Sequence, residues 1–168
     1  MYKKNLIVAM DENRFIGKDG KLPLWKLSAD MEHFKKITVE AKIVIMGRKK
    51  FESIPEKFRP LKERVNVILT KNKEFKAPGC LVLHSVEHAL KIFKDVKFYV
   101  IGGGKIYQAF LPHICRLVVT HVKTKIEGDT FFPEIDSEWR SHTILEHQID
   151  EKNQYPFSIV EYTRRPRT

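Results

Sequence analysis

Short apolar runs of four to seven residues, separated by polar stretches, are the feature that most limits what this chain can fold into. They occupy residues 6–10, 42–46, 64–70, 80–84, 98–101 and 117–122. Runs of this length are too short for buried helices and are typical of buried strands. Because they alternate with short helical stretches, they predict right-handed crossovers and a largely parallel sheet covered on both faces. We expect the run at 6–10 to lie centrally in that sheet.

The helical stretches are short, and the end of the chain has a different pattern. Helices are predicted at residues 28–38, 48–54, 86–93 and 105–111. Ser28 and Ser85 are the expected N-caps of the first and third helices, and Pro112 is expected to end the fourth. Residues 141–148 and 157–163 are strand-like and joined by a polar loop, which predicts an antiparallel hairpin at one edge.

Length and composition favour one α/β domain over residues 1–168. With 42% hydrophobic residues the chain can bury a substantial core. We expect a mixed, mainly parallel sheet of about eight strands, with an antiparallel C-terminal strand and about four flanking helices. The run at 6–10 is too short for a signal peptide or a membrane span, so we expect a cytoplasmic protein without membrane contact.

Asp30 is the most informative single residue. It falls in the first turn of a helix in which Met31, Phe34 and Ile37 recur at helical spacing, and it shares the apolar face with Leu27, Phe34 and Ile37. An acid in a first turn often only complements the helix dipole. A carboxylate among apolar side chains must nevertheless shift its pKa or find a hydrogen-bond donor. A ligand with amidine-like or amino-pyrimidine N–H groups would be such a donor.

Two strand-to-helix turns are candidate phosphate cradles. One is I-M-G-R-K-K at residues 45–50 and the other is V-I-G-G-G-K at 100–105. Glycine lets an anion approach unpaired backbone N–H groups at a helix start, and parallel neighbours would open both turns on one edge. The second turn is neither a P-loop nor G-x-G-x-x-G, because Ile106 and Tyr107 occupy the later positions. A dinucleotide would therefore bind in a non-Rossmann manner. The polar stretch 11–23 is long enough to be a mobile loop over such a site.

The remaining signals exclude several functions. The net charge of +10 favours anionic partners, but the basic residues occur in short groups separated by acids, unlike those of nucleic-acid readers. The segment from His84 to His88 matches H-x-x-E-H, yet Ser85 as a cap leaves His84 at a strand end, so we expect no metal. Cys80 and Cys115 lie far apart in apolar settings and are expected to be reduced thiols.

The motifs together resemble the dihydrofolate reductase family over nearly the whole chain. They include L-P-L-W-K-L-S-A-D, V-I-M-G-R-K-K-F-E-S-I, V-I-G-G-G-K-I-Y and E-G-D-T-F-F-P, in the order typical of the family. The resemblance implies a mixed sheet and the NADPH-dependent reduction of 7,8-dihydrofolate to tetrahydrofolate. It also implies polyglutamylated folates as substrates, antifolates as inhibitors and a monomer.

The resemblance also implies roles for single residues. Asp30, Thr120 and Tyr107 would be catalytic: Asp30 would accept hydrogen bonds from the pterin, Thr120 would hold Asp30 and a water, and Tyr107 would lie near the nicotinamide. The implied substrate site consists of Ile7, Val8, Asp30, Met31, Phe34, Ile54, Leu61, Arg64, Ile101 and Thr120. The implied cofactor site consists of Ala9, Ile16, Gly47, Arg48, Lys49, Lys50, Leu69, Thr70, Lys71, Ile101, Gly103, Gly104, Lys105, Ile106 and Tyr107. Arg64 would pair with the glutamate α-carboxylate of the substrate.

Three positions depart from the family pattern. Leu24 stands between the proline and Trp25, Lys50 replaces a common threonine, and Val8 replaces a common alanine. These changes bear on inhibitor affinity more than on the reaction. The rival hypotheses are a pyrimidine reductase of riboflavin synthesis with the same fold, a basic nucleic-acid-binding module and a zinc hydrolase.

Overall fold

The computed structural model describes residues 2–18, 23 and 25–165. Its strands are β1 (Lys4–Met10), β2 (Phe15–Gly17), β3 (Ile43–Gly47), β4 (Val65–Leu69), β5 (Cys80–Leu83), β6 (Phe98–Gly102), β7 (Arg116–Val122), β8 (Thr130–Phe131), β9 (Trp139–His147) and β10 (Phe157–Arg164). Its helices are α1 (Ser28–Ala41), α2 (Arg48–Ser53), α3 (Val86–Ile92) and α4 (Gly104–Phe110), with short 3₁₀ turns at Glu56–Phe58 and Leu111–His113. Within the described chain, no helix is long and apolar enough to span a bilayer.

The main sheet has the strand order β5-β4-β3-β6-β1-β7-β10-β9. Every neighbouring pair from β5 to β7 is parallel, and β10 is antiparallel to both β7 and β9. This confirms the predicted mixed, mainly parallel sheet, the interior position of β1 and the C-terminal hairpin at one edge.

The core lies on both faces of the sheet because the parallel strands are apolar on both sides. Within β1, Leu6 and Val8 belong to the cluster on one face, and Ile7 belongs to the cluster on the other. The same alternation in β6 assigns Val100 to the first cluster and Tyr99 to the second. Alternate side chains of a strand point to opposite faces, so near-continuous apolar runs are required at these positions.

Three connecting segments refine the predicted boundaries. The fourth helix ends at Phe110, one residue before the predicted end at Leu111, and Pro112 lies near the start of the 3₁₀ turn Leu111–His113 that follows it. Proline lacks only a donor that the first turn of a helix leaves unpaired. The fully described segment 70–79 between β4 and β5 is a turn-rich loop, and no helix was predicted there. The stretch 11–23 is not a loop throughout, since β2 forms within it and pairs with β8. Leu24 lies outside the described residues.

The predicted N-cap of α1 was wrong. The helix begins at Ser28, so the capping position is Leu27, whose side chain has no hydrogen-bond acceptor. The buried Asn153 accepts a hydrogen bond from the Ala29 N–H at 3.0 Å, and the Ser28 N–H donates to the Lys152 carbonyl at 3.1 Å. The loop between β9 and β10 therefore caps the helix on which Asp30 lies. For α3, the predicted Ser85 cap is confirmed, with its Oγ accepting from the His88 N–H at 3.1 Å.

Candidate active site

Asp30 and Thr120 form the polar centre of the site. Asp30 lies in the first turn of α1 and is partly buried, and Thr120 lies on β7 and is 2% exposed. The Thr120 hydroxyl donates to Asp30 Oδ1 at 2.5 Å. Burial raises the pKa of Asp30 above its ordinary value, and the Thr120 hydrogen bond opposes this by stabilising the charged form. The second carboxylate oxygen, Oδ2, has no hydrogen bond or ion pair in the part of the chain that the structure describes.

The walls around this carboxylate are apolar. Leu27 is buried, and Phe34 and Ile37 of α1 pack on the same cluster as Ile7. The same cluster includes three other predicted substrate contacts, namely Ile54, Leu61 and Ile101. In the sheet, Ala9 of β1 is the register partner of Thr120, so the alternation that turns Ile7 toward this face also turns Ala9 toward it.

Two predicted substrate contacts differ from the others in the environment of their side chains. The Val8 side chain belongs to the cluster on the opposite face of the sheet, so only its main chain is available to a ligand on the Asp30 side. Met31 does not join the apolar face of α1, because 65% of its surface is exposed. It lies beside an open groove between the start of α1 and the β9–β10 loop, which Trp25, Leu27 and Gln154 also line.

The Arg64 guanidinium is oriented by hydrogen bonds within the protein. Its Nη1 donates to the Thr38 hydroxyl at 3.0 Å, and its Nε donates to the Lys62 carbonyl at 2.8 Å. Burial lowers the pKa of Arg64, although the neighbouring Glu63 opposes the effect. Nη2 has no partner among the described residues, so N–H donors remain for a carboxylate.

Sequence reasoning missed Asn66, which shapes the segment that contains Leu61 and Arg64. Its buried side chain accepts from the Leu61 N–H at 2.9 Å and donates to the carbonyls of Leu61 and Arg64 at 2.9 and 3.0 Å. Thr38 and Asn153 were missed in the same way. A polar residue that is buried is expected to form hydrogen bonds, but the sequence does not show with which partner.

The two glycine turns meet at one edge of the sheet. They end neighbouring strands β3 and β6, where Met46 is the register partner of Gly102. A Cβ added at Gly47 would lie 2.8 Å from Ile106 Cγ1, and one at Gly104 would lie 2.7 Å from Thr130 Cγ2. These two glycines therefore permit close packing within the protein. A Cβ at Gly103 would meet nothing within 4 Å, so this backbone is open to a ligand.

The Tyr107 side chain packs against the glycine turn and joins two strands through its hydroxyl group. Its hydroxyl lies 2.8 Å from the Ile7 carbonyl and 2.9 Å from the Ile101 carbonyl, and the side chain is 6% exposed. Both carbonyl oxygens can only accept, so the single hydroxyl proton is shared between a carbonyl of β1 and a carbonyl of β6. Burial raises the pKa of Tyr107 far above its ordinary value. The structure thus gives Tyr107 a positioning role between two strands, and its contact with a nicotinamide stays a prediction.

The basic residues predicted for the cofactor surround this edge with different exposures. Lys49, Lys71 and Lys105 are exposed, and the half-buried Arg48 pairs with Glu52 at 3.5 Å. Lys50 differs from them, because burial alone lowers its pKa to about 8 and no acid pairs with it in the described residues. The other predicted contacts are Ile16, Leu69, Thr70 and Ile106, of which Ile16 and Leu69 are buried.

The segment H-x-x-E-H does not form a metal site. His84 follows β5 and lies outside α3, as predicted. No group of three His, Cys, Asp or Glu side chains within residues 2–18, 23 and 25–165 could hold a metal ion. Both cysteines are free.

These features define an α/β protein in which a hydrogen-bonded carboxylate and an open glycine turn lie toward the carboxyl ends of the central strands, the edge at which open α/β sheets bind ligands. The family model for dihydrofolate reductase matches residues 4–164. The chain is 39% identical over 164 residues to dihydrofolate reductase of Staphylococcus haemolyticus, covering 96% of both chains. It is 40% identical over 163 residues to the Bacillus subtilis (strain 168) enzyme, covering 96% of this chain and 94% of the other.

A solved structure agrees with this similarity. The Enterococcus faecalis dihydrofolate reductase complexed with NADP(H) and RAB-propyl superposes with a TM-score of 0.88 at 37% identity, covering 99% of this chain and 100% of that one. The chain belongs to the dihydrofolate reductase family. Its activity is the NADPH-dependent reduction of dihydrofolate to tetrahydrofolate.

Proposed function

We propose that this reductase binds the pterin ring of dihydrofolate through Asp30, with the rest of the substrate extending along the apolar cluster toward Arg64. The observation that carries this assignment is the Asp30 carboxylate, which is held by Thr120 at 2.5 Å and keeps Oδ2 without a partner among the described residues. A partly buried carboxylate without a cation favours further hydrogen-bond donors from a ligand. The N3 and 2-amino N–H groups of a pterin form such a pair of donors.

Arg64 suits the other end of the substrate. Its guanidinium is already oriented by Thr38 and Lys62, so little side-chain entropy remains to be lost when a carboxylate binds. A guanidinium also matches a carboxylate geometrically. We therefore assign the glutamate α-carboxylate of the substrate to Arg64.

NADPH fits the edge that contains the glycine turns. The Gly103 backbone is open, whereas Gly47 and Gly104 are packed against Ile106 and Thr130. Exposed basic side chains, including Lys49 and Lys71, lie along the same strand ends and complement a polyanion. We assign the pyrophosphate to the two turns and the 2′-phosphate to Arg48, Thr70 and Lys71.

The residues of this chain then have distinct tasks in the reaction. When bound, the cofactor supplies a hydride to C6 of the pterin. Asp30 accepts the two pterin N–H hydrogen bonds, which orients the ring and stabilises the protonated or tautomerised form that gains a proton at N5 from water. Thr120 fixes Asp30 through its donated hydrogen bond. Leu27 and Phe34 limit the access of water to the carboxylate, which strengthens these electrostatic interactions.

The assay that tests the assignment uses NADPH consumption with purified protein. Oxidation is expected only when dihydrofolate is added, and not with the pyrimidine intermediate of riboflavin synthesis. Asp30→Asn should reduce kcat at pH 7 by at least about a hundredfold, because the amide keeps the shape but loses the charge that the pterin donors need. NADPH binding to that variant, measured by fluorescence, should stay within about twofold of wild type. Normal turnover by Asp30→Asn would show that the assignment of Asp30 is wrong.

We further propose that the enzyme is a cytoplasmic monomer that accepts polyglutamylated folates. Every residue assigned to the site belongs to a single chain, so a second copy is not required. The net charge of +10 complements a polyanionic tail. Sedimentation should give a mass near 19.8 kDa. The KM should be lower for a pentaglutamate substrate than for dihydrofolate, and the difference should shrink as salt is raised.

A further inference from the structure

His84 lies next to the segment to which the 2′-phosphate was assigned. It follows the last residue of β5 and is exposed, and its Nδ1 lies 2.7 Å from the Thr70 carbonyl oxygen. The Thr70 N–H in turn donates to the carbonyl of Leu83 at 3.1 Å. These two hydrogen bonds connect the end of β4 to the end of β5. The imidazole of His84 lies where the two strands end.

This hydrogen bond fixes the chemistry of the ring. A carbonyl oxygen can only accept, so Nδ1 must be the nitrogen that carries a proton. In the neutral ring Nε2 is then an acceptor, which would repel an anion. In the charged ring Nε2 is a second donor, directed by the bond that Nδ1 makes on the other side. Nε2 has no partner within the described part of the chain.

The sheet aligns this nitrogen with the proposed phosphate ligands. Strands β3, β4 and β5 are consecutive parallel neighbours, so the residues after them share one edge. These residues are Arg48 after β3, Thr70 and Lys71 after β4, and His84 after β5. The first three were assigned to the 2′-phosphate, and His84 extends the same row by one strand.

We propose that His84 is a specificity-determining residue for the cofactor, donating from a protonated Nε2 to the 2′-phosphate and thereby favouring NADPH over NADH. The inference rests on the cofactor placement proposed above. Binding of NADPH would then take up a proton at the imidazole, and no covalent change is involved. The titratable side chains that follow Thr70 and His84 most closely in sequence are Lys71, Glu87 and His88. No ion pair or hydrogen bond joins any of them to His84 among the residues described.

The test compares the Kd of NADPH and of NADH for wild type, His84→Gln and His88→Gln, at pH 6.5 and pH 8.5. His84→Gln keeps an N–H donor for the Thr70 carbonyl but cannot become charged. His88 is an exposed histidine on α3 and serves as the matched control. At pH 6.5 we expect His84→Gln to weaken NADPH binding by about five- to twentyfold and to leave NADH binding unchanged. At pH 8.5 wild type and His84→Gln should converge, and His88→Gln should match wild type throughout.

Calorimetry in buffers of different ionisation enthalpy gives a readout that a merely structural role would not change. Wild type should take up more protons on binding NADPH at pH 7 than His84→Gln does. Equal proton uptake, or equal loss of NADPH and NADH affinity, would overturn the inference.

Arg48→Gln separates the two proposals. If it lowers the preference for NADPH while His84→Gln does not, only the role of His84 is wrong; if neither variant changes the preference, the cofactor placement is wrong.

Discussion

At the scale of single residues, the proposed site contains ionisable groups whose burial lowers the stability of the fold. Asp30 is the clearest case, because burial raises its pKa and so destabilises the charged form that the proposed pterin contact needs. A carboxyl group with a raised pKa lowers stability above that pKa, and the loss disappears as the pH falls through it. Sites of this kind commonly exchange stability for function.

The Thr120 hydroxyl partly offsets the effect of burial on Asp30, so removing this hydroxyl should raise the pKa of Asp30 measurably. Thr120→Val keeps the side-chain shape but removes the donor that lies 2.5 Å from Asp30 Oδ1. Hydrogen bonds to charged groups contribute about 1.5–3 kcal/mol, so the pKa of Asp30 should rise further. Carboxyl carbon NMR titration would detect the higher midpoint, and Thr120→Ser should restore it. An unchanged midpoint in Thr120→Val would mean that this hydroxyl does not stabilise the carboxylate.

Burial of Lys50 should produce a pH dependence of stability that runs in the opposite direction to that of Asp30. Burial lowers its pKa from the ordinary 10.5 to about 8, so the unfolded state binds the proton more tightly. The penalty is complete below pH 8 and decreases as the pH rises toward 10.5. Lys50→Met should therefore raise the free energy of unfolding below pH 8 by up to about 3 kcal/mol, with no gain near pH 10.5.

Urea denaturation at several pH values measures this difference, with Lys49→Met as the exposed control on the same helix. Lys50→Met should also weaken NADPH binding, because it removes a charge from the proposed cofactor site. If Lys50→Met and Lys49→Met had the same stability at every pH, burial of Lys50 would have no energetic effect.

At the scale of elements, two adjacent glycines in the turn between β6 and α4 have different environments. Gly104 is packed against the protein, whereas Gly103 is open to a ligand. Gly103→Ala places a methyl group in open space and should change the free energy of unfolding by less than about 0.5 kcal/mol. The same methyl group occupies the surface proposed for the pyrophosphate, so the Kd for NADPH should rise by at least about tenfold.

Gly104→Ala is the matched control for that prediction. Its methyl group would lie 2.7 Å from Thr130 Cγ2, so it should cost about 1–3 kcal/mol of stability. Thr130→Ser in the same protein removes that methyl carbon and should restore most of the loss. Unchanged NADPH affinity in a folded Gly103→Ala variant would contradict the cofactor placement.

The elements also show why the sequence predicted some features and missed others. The apolar runs of β1, β3 and β6 identified buried strands because burial on both faces requires them to be apolar throughout. The strands β2 and β8 are only three and two residues long, so they leave no periodic signal. The exposure of Met31 was missed because helical spacing fixes neighbours on one helix and not what covers them. The Val8 side chain was assigned to the site by resemblance, whereas strand alternation turns it to the opposite face.

At the scale of the whole molecule, the site depends on residues far apart in sequence. The helix that carries Asp30 is capped by a loop 124 residues away, and Asp30 itself is bound by Thr120, 90 residues away. Sequence reasoning found Asp30 from local spacing, but a cap supplied by Asn153 has no local signal. Resemblance carried Thr120 over, since no periodicity links it to Asp30. The parts of the site that a single helix or turn defines were therefore predictable, and the parts that join the two ends of the chain were not.

This long-range cap leads to a prediction about folding and binding together. Asn153→Ala removes the acceptor for the Ala29 N–H and the donor to Asp150, which should lower the free energy of unfolding by about 1–2 kcal/mol. Because the lost cap is at the first turn of α1, the KM for dihydrofolate should rise while the Kd for NADPH stays unchanged. Gln154→Ala is the control, since that side chain accepts only an exposed hydrogen bond from Lys26 N–H and should cost less than about 0.5 kcal/mol. Equal effects of the two substitutions on KM would mean that the position of Asp30 does not depend on the C-terminal hairpin, and that α1 is fixed by its apolar face alone.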